Sequence, residues 1–261
     1  MKSYVEELFS LDGRVALVTG GSRGIGEMIA ESFVRAGASV YIAARNSTPC
    51  QATAERLRSL GRCTALTADV SNMHGVQSLR DDVASREDHL DILVNNAGGA
   101  WGEPLETFSE RGWERDMNLN VKSAFFLTQA MLPLLQKKAT PNAPSQVINI
   151  GSISGFPSNT NVYGGFAYSA SKAAVHQLTP VLAKELAGRH IHVNAIAPGY
   201  FPSKLSSGLY HDEASERALL DTVLTKSMGT PDDIGALAIA IATNRYMLGN
   251  VIPIDGGALI A

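Results

Sequence analysis

The feature that most restricts the fold of this chain is a rhythm. Short apolar, often β-branched runs each close in a turn and pass into a stretch with helical spacing. Arg14-Val-Ala-Leu-Val-Thr19 breaks into Gly20-Gly-Ser-Arg-Gly-Ile-Gly26 and then a helical pattern to Ala36, with Gly37 placed where a left-handed residue would end the helix. The same unit recurs as a strand from Ser39 to Ala43 with a helix from about Thr48 to Leu60, then a strand from Cys63 to Thr67 with a helix from Met73 to Arg86. A fourth strand, Ile92 to Asn95, ends sharply at Asn95-Asn-Ala-Gly-Gly99.

Beyond it, Asp116 to Lys138 is the longest helical pattern, interrupted by Pro133. A fifth strand, Gln146 to Ile150, ends in Gly151-Ser-Ile-Ser154, and a loop rich in Gly, Asn and Ser leads to a helix from near Ala167 to Leu186. Pro180 inside that helix predicts a local kink, since an interior proline costs about 3 kcal/mol. A sixth strand, His192 to Ala197, stops at Pro198-Gly199; Tyr200 to Lys226 lacks strand character, and about 200–227 reads as a lid over the substrate. Thr230-Pro-Asp-Asp233 opens a further helix, with threonine at the cap and acids in the first turn, and Asn250 to Asp255 is a seventh strand. Strands alternating with helices at this spacing predict a Rossmann-type, doubly wound parallel sheet of seven strands with helices on both faces. No linker interrupts the 261 residues, so one domain is expected.

Composition narrows the function. A net charge of −3 and the lack of a basic run give no footprint for nucleic acid. No stretch reaches the roughly 18 apolar residues that a membrane helix needs. The N-terminus carries Glu6 and Glu7 instead of the apolar run of a secretory signal, and a soluble cytoplasmic protein is expected. Cys50 and Cys63 sit in no redox or metal-binding spacing and read as reduced thiols, and the scattered histidines suggest no metal site.

Two stretches carry chemistry. The first is the glycine-rich turn, where a strand before and a helix after bring backbone amides to bear on an anion. In nicotinamide-binding folds a carboxylate about 20 residues further on holds the ribose 2′-hydroxyl, whereas an arginine accommodates a 2′-phosphate. This chain has Ala44-Arg45-Asn46 there, and Arg23 within the turn itself, so the pair argues for NADP(H). The second stretch is Tyr168-Ser-Ala-Ser-Lys172. Four residues apart on a helix, the two side chains share a face, and an ammonium there is expected to lower the tyrosine pKa toward working pH. Such a phenol can give a proton to a carbonyl oxygen or take one from an alcohol.

These motifs arrive in a fixed order: Thr19-Gly-Gly-Ser-Arg-Gly-Ile-Gly26, Asp69-Val70, Asn95-Asn-Ala-Gly98, Asn120, Ser152, Tyr168-x-x-x-Lys172 and Pro198-Gly199. In that order the chain resembles the short-chain dehydrogenase/reductase family from about Leu11 to Gly257. The resemblance implies that Ser152 binds the substrate carbonyl, Tyr168 donates the proton, Lys172 binds the nicotinamide ribose and supports the tyrosine, and Asn120 holds a water relaying protons to Lys172. It assigns cofactor contacts to Gly20, Ser22, Arg23, Gly24, Ile25, Gly26, Arg45, Asp69 and Val70. Further contacts are implied at Asn96, Ala97, Gly98, Pro198, Gly199, Phe201 and Ser203, besides Tyr168 and Lys172.

Phrases such as Ile196-Ala-Pro-Gly-Tyr-Phe-Pro-Ser203 look most like 3-oxoacyl reductases of the family, implying an acyl-thioester or hydrophobic ketone substrate. Trp101, Phe156, Tyr163, Phe166, Tyr200, Leu205 and Leu209, with Ser154, are the candidate pocket residues, on loops after strand ends. The interval from Ser152 to Tyr168 is longer than is common in the family, which leaves the substrate mouth open. A sugar, polyol or steroid substrate, or a non-catalytic NADP-binding module, are the alternatives. Lys137, Lys138 and Arg189 could dock an acidic carrier or serve as helix-end dipole partners. By resemblance the assembly is a homotetramer or a dimer, formed through the helices around 120–138 and 168–186 and the C-terminus.

Overall fold

The structure is a computed structural model and describes residues 3–159, 165–203 and 212–261. Seven strands pair in parallel in the order β3-β2-β1-β4-β5-β6-β7. They are β1 (Val15–Thr19), β2 (Ser39–Ala44), β3 (Cys63–Thr67), β4 (Ile92–Asn95), β5 (Ser145–Ile150), β6 (Ile191–Pro198) and β7 (Val251–Ile254). Successive strands step outward from β1 in one direction through β3, and from β4 the chain builds the opposite half. The C-terminal ends of β1 and β4 therefore flank the topological switch point where ligands bind in open sheets.

Helices cover both faces, which is why every residue of β1, β4 and β5 is buried. Along β1 the pleat divides the side chains between two cores. Ala16 and Val18 face α2 (Gly24–Arg35), α3 (Ser47–Arg58) and α9 (Pro231–Thr243), where Phe33, Leu57 and Ile241 are fully buried. Val15 and Leu17 face α4 (Met73–Ala84), α6 (Ser123–Gln136) and α7 (Phe166–Leu186), meeting Leu79, Leu127 and Leu186. Each such fully buried side chain contributes about 1.5–3 kcal/mol.

A polar ladder crosses this second core. Asn95 Nδ2 donates to Asn149 Oδ1 at 2.9 Å and to Thr128 Oγ1 at 3.0 Å, and Asn149 Nδ2 donates to Thr179 Oγ1 at 3.1 Å. It ties β4 and β5 to α6 and α7, fixing the strand ends against the helix that carries Tyr168. Buried amides without such partners would each cost about 1–3 kcal/mol.

Several elements differ from the sequence expectation. The pattern from Asp116 to Lys138 is not one helix: α5 (Glu110–Asp116) passes through a π-helical turn, Met117–Lys122, into α6. The longest helix is α7, which runs without interruption through Pro180, its packing against β5 and β6 offsetting the lost hydrogen bond. Phe166 begins α7 instead of belonging to the loop, because its ring stacks edge-to-face on Phe108 at 5.7 Å. Two short helices went unread: α1 (Tyr4–Phe9), closed by a Ser3/Glu6 capping box, and α8 (Glu213–Asp221), capped by Asp212 within the stretch read as a lid.

Candidate active site

The turn after β1 is shaped by backbone proximity. Gly20 and Gly24 have φ of 64° and 58°, which side-chain-bearing residues rarely adopt. A Cβ on Gly20 would lie 2.7 Å from Asn96 Nδ2, and one on Gly26 would overlap Asn96 Nδ2 and the Gly20 carbonyl. Asn96 Nδ2 donates to the carbonyls of Thr19 at 2.8 Å and Gly20 at 3.2 Å, while Thr19 Oγ1 accepts from the amides of Asn96 and Ala97. The turns after β1 and β4 are thus stapled across the switch point. The side chain of Asn96, expected at the cofactor, is spent on this staple.

Around the turn, Ser22 accepts Thr53 Oγ1 through its carbonyl, Ile25 packs on the core, and Ser203 lies 3.2 Å from where a Gly24 Cβ would be. The N-terminus of α2, with Arg23 at the cap position, has no side-chain capping bond, so its first amides are uncapped by any side chain. Arg23 and Arg45 are exposed and, among the described residues, neither forms an ion pair. Asp69 Oδ1 accepts from the amide and hydroxyl of Ser71, Val70 is buried, and the helix cap falls to Asn72. A glycine cradle, an uncapped helix end and two unpaired guanidinium groups suit the phosphates of NADP(H), and β2 ends in no carboxylate that would repel a 2′-phosphate. The Phe201 ring is 3 % exposed, buried against Gly229, so a cofactor contact at Phe201 would come from its backbone. Gly199 is a packing requirement too, since a Cβ would lie 2.8 Å from Asp255 Cα.

The second half of the site gathers at the end of β5. Ser152 follows Gly151 in extended conformation, and its Oγ accepts from the Ser154 amide at 3.1 Å. Ser154 therefore serves this turn through its backbone. The Ser152 hydroxyl also hydrogen-bonds Tyr168. One turn along α7, Lys172 is 5 % exposed; its Nζ donates to the Ile150 carbonyl at 2.8 Å and lies 5.6 Å from the centre of the Tyr168 ring. Gly98 borders the same space, with Asn120 Oδ1 and Lys172 Nζ 3.1 and 3.6 Å from where its Cβ would be.

The electrostatics overturn one expectation. Tyr168 is not made more acidic by Lys172: burial raises its pKa, and only the Ser152 hydrogen bond opposes this. Burial also pulls Lys172 down to about 8. Each group is pushed toward its neutral form, because desolvation penalises the charged state of both. Asp116 contributes as well. It is 1 % exposed, accepts the Trp101 amide at 3.0 Å through Oδ2, and its Oδ1 has no hydrogen-bond partner among the described residues. Burial raises its own pKa, and its charge raises those of both Lys172 and Tyr168.

Asn120 sits in the π-helical turn with both amide protons committed: Nδ2 donates to the Gly99 carbonyl and to Ser171 Oγ, and Oδ1 accepts from the Gly99 amide. Oδ1 keeps one further lone pair that can accept from the expected water. His176, one turn beyond Lys172 on α7, was not singled out in the sequence. Its Nε2 accepts from the Ser152 amide at 3.4 Å and its ring stacks on Phe156 at 4.7 Å. The spacing Tyr168, Lys172, His176 along one helical face was the available signal.

Of the pocket candidates, Trp101 packs over Gly112 with the Arg115 guanidinium 4.7 Å from its ring centre. Phe156 and Phe166 engage His176 and Phe108. Tyr200 lines a cleft of about 130 Å³ shared with Ile153, Ser158, Asn159, Thr222 and Leu259. Tyr163, Leu205 and Leu209 lie outside the described residues. No helix among the described residues is long and apolar enough to cross a membrane.

Known proteins share this arrangement. The sequence matches the short chain dehydrogenase family over residues 14–214. It is 48 % identical, over 95 % of this chain and 97 % of the relative, to the rhamnolipids biosynthesis 3-oxoacyl-[acyl-carrier-protein] reductase of Pseudomonas aeruginosa. It is 36 % identical, over 96 % and 97 %, to the 2-dehydro-3-deoxy-D-gluconate 5-dehydrogenase of Escherichia coli. The solved RhlG/NADP active-site complex of Pseudomonas aeruginosa superposes with a TM-score of 0.94 at 47 % identity, covering 97 % of this chain and 99 % of that one. With a cradle, a serine–tyrosine pair and a buried lysine placed as they are, and with a match over most of its length, this chain belongs to the short-chain dehydrogenase family.

Proposed function

We propose that the chain is an NADPH-dependent reductase that converts the ketone of a 3-oxoacyl thioester, or of a similar hydrophobic substrate, to an alcohol. The observation that carries the reading is the hydrogen-bonded pair of Ser152 and Tyr168, whose phenol is held protonated by burial. Reduction of a carbonyl adds a hydride to carbon and a proton to oxygen, and a neutral phenol is the form that can give the proton. Bound NADPH supplies the hydride. Ser152 orients the carbonyl oxygen, Tyr168 protonates it, and the cationic form of Lys172 stabilises the phenolate left behind. Asn120 braces Gly99 and Ser171 beside Lys172, and water that returns protons would be held at its main-chain carbonyl or at the remaining lone pair of Oδ1. Arg23 and Arg45 hold the 2′-phosphate, Asp69 and Val70 border the adenine, and the Pro198-Gly199 turn with the backbone of Phe201 and Ser203 borders the nicotinamide end.

The resemblance to the 3-oxoacyl reductase supports the substrate class. A polar substrate of the sugar-acid type is the second reading, favoured by the hydroxyl and amide groups of Ser158, Asn159 and Thr222 around the cleft at Tyr200. Residues 200–227 serve as the substrate lid. A homotetramer is the proposed assembly, supported by the exposure of Trp113 and Val181 on α5 and α7 and of Tyr246 and Ile260 near the C-terminus.

The test follows NADPH consumption with 3-oxoacyl thioesters, simple ketones and keto-sugar acids. Tyr168→Phe should lower kcat by roughly 10²–10⁴-fold with NADPH affinity kept. Undiminished turnover in that variant removes the proton-donor role, and turnover of keto-sugar acids alone selects the second reading.

A further inference from the structure

The turn that carries Ser152 is built around one side chain on a different element. His176 projects from α7 into the space under the turn; Gly151 leaves room for it, and Gly155 leaves room for both the ring and the α7 backbone at Lys172, whose carbonyl carbon lies 2.7 Å from where a Gly155 Cβ would be. A Cβ on Gly151 would lie 2.7 Å from His176 Cδ2, and one on Gly155 would lie 2.7 Å from His176 Cε1. Phe156 closes the ring from the far side at 4.7 Å and 55°. Within that slot, the Ser152 amide donates to Nε2 at 3.4 Å. Nε2 as acceptor leaves Nδ1 as the protonated nitrogen, so a neutral imidazole on α7 holds the start of the turn by its amide while the ring packs against Gly155 at its end.

We propose that His176 is a positioning residue for Ser152, holding the Ser152–Gly155 turn in register with α7 so that the serine hydroxyl meets Tyr168 and the substrate oxygen together. Burial and the nearby Lys172 charge bring His176 down to about 4, which keeps it in the neutral form this bridge requires. Because α7 also carries Tyr168 and Lys172, the bridge makes the carbonyl-binding group and the proton donor move as one body. Small misplacements of reacting groups are costly, since the rate depends on near-attack geometry.

This inference rests on Ser152 as the carbonyl-binding group, and the test separates the two ideas. His176→Met fills similar volume without a comparable acceptor, whereas His176→Gln keeps a neutral acceptor. The expected result is a fall of about tenfold in kcat for Met, with KM and NADPH affinity little changed, and restoration to within about threefold of wild type by Gln. In a Ser152→Ala background, His176→Met should slow the reaction no further, because the group it positions is gone. Wild-type kcat in His176→Met, Met and Gln equally impaired, or an undiminished Met effect on top of Ser152→Ala would each overturn the positioning role. Should His176→Met fail to fold, the Gln variant alone in the two backgrounds decides: retained kcat beside Ser152 supports the bridge, and a loss repeated in full without Ser152 refutes it. If Ser152→Ala itself leaves kcat intact, the role of Ser152 falls and this inference falls with it.

Discussion

Two strand ends in this molecule carry glycine turns, and they use their missing side chains in opposite ways. After β1, the absence of a Cβ at Gly26 lets the helix backbone sit against the Gly20 carbonyl and Asn96, so the turn closes on itself and leaves its first amides without a side-chain cap. After β5, the space left by Gly151 is taken up by the His176 ring, and that left by Gly155 by the same ring together with the α7 backbone at Lys172. The first turn is pre-shaped for a ligand that arrives from solution. The second is shaped by a residue of the chain itself, and through it the turn is coupled to the helix that does the chemistry. Glycine at a strand end therefore says that something comes close; only the neighbour tells what.

The contrast can be broken by substitution. Gly26→Ala forces overlap with backbone, and at about 1–3 kcal/mol for such strain it should weaken NADPH binding by roughly tenfold or more. Gly151→Ala displaces His176, and should lower kcat while NADPH affinity, read by fluorescence titration, stays near wild type. If both variants lose cofactor affinity alike, the two turns are not functionally distinct. A smaller effect is expected at the rim of the first turn. Arg45→Ala should raise KM for NADPH by roughly tenfold, as for loss of one charge-assisted hydrogen bond, and leave KM for NADH nearly unmoved. Equal changes for both cofactors would remove the 2′-phosphate contact.

A further effect concerns stability at acid pH. His176 titrates near 4 in the folded chain and near 6.5 when unfolded, with Lys172 the charged group that faces it. The unfolded state then binds a proton that the folded state refuses, so stability falls as pH drops from about 6.5 toward 4 and levels off below. The full shift corresponds to an upper bound on the order of 3 kcal/mol. Urea unfolding at pH 7 and pH 4.5 should show a shallower fall in His176→Gln than in wild type; parallel falls would contradict the buried neutral histidine.

What could be read from the sequence follows the same division. The parallel sheet, the glycine turn and the Tyr168–Lys172 pair are local patterns, and periodicity with turn chemistry places them. The direction of the Tyr168 shift was misjudged because spacing reports that Lys172 is near but not how deeply both groups are buried, and burial decided the sign. Asn120 was identified by its place in a motif, yet the commitment of its amide to Gly99 and Ser171 depends on contacts across 21 and 51 residues of chain. His176 and Asp116 belong to no motif and owe their place entirely to packing. The short helices α1 and α8 lack the apolar stripe that a longer helix displays, and only their capping residues marked them.

The π-helical turn between α5 and α6 has a consequence for how this chain can change. Its winding accommodates one residue more than a regular helix would, so deleting a single residue from Met117–Lys122 would relieve the local irregularity. The faces of α5 and α6 would keep their register, because a π turn absorbs its extra residue locally: Asp116 would stay with Trp101, and Leu127, Met131 and Leu135 would stay in the core. What the deletion would take away is the wide turn itself, and with it the position from which Asn120 reaches Gly99 and Ser171. A shortened chain should therefore fold with its core intact and lose activity, so the irregular turn marks function where it leaves stability untouched.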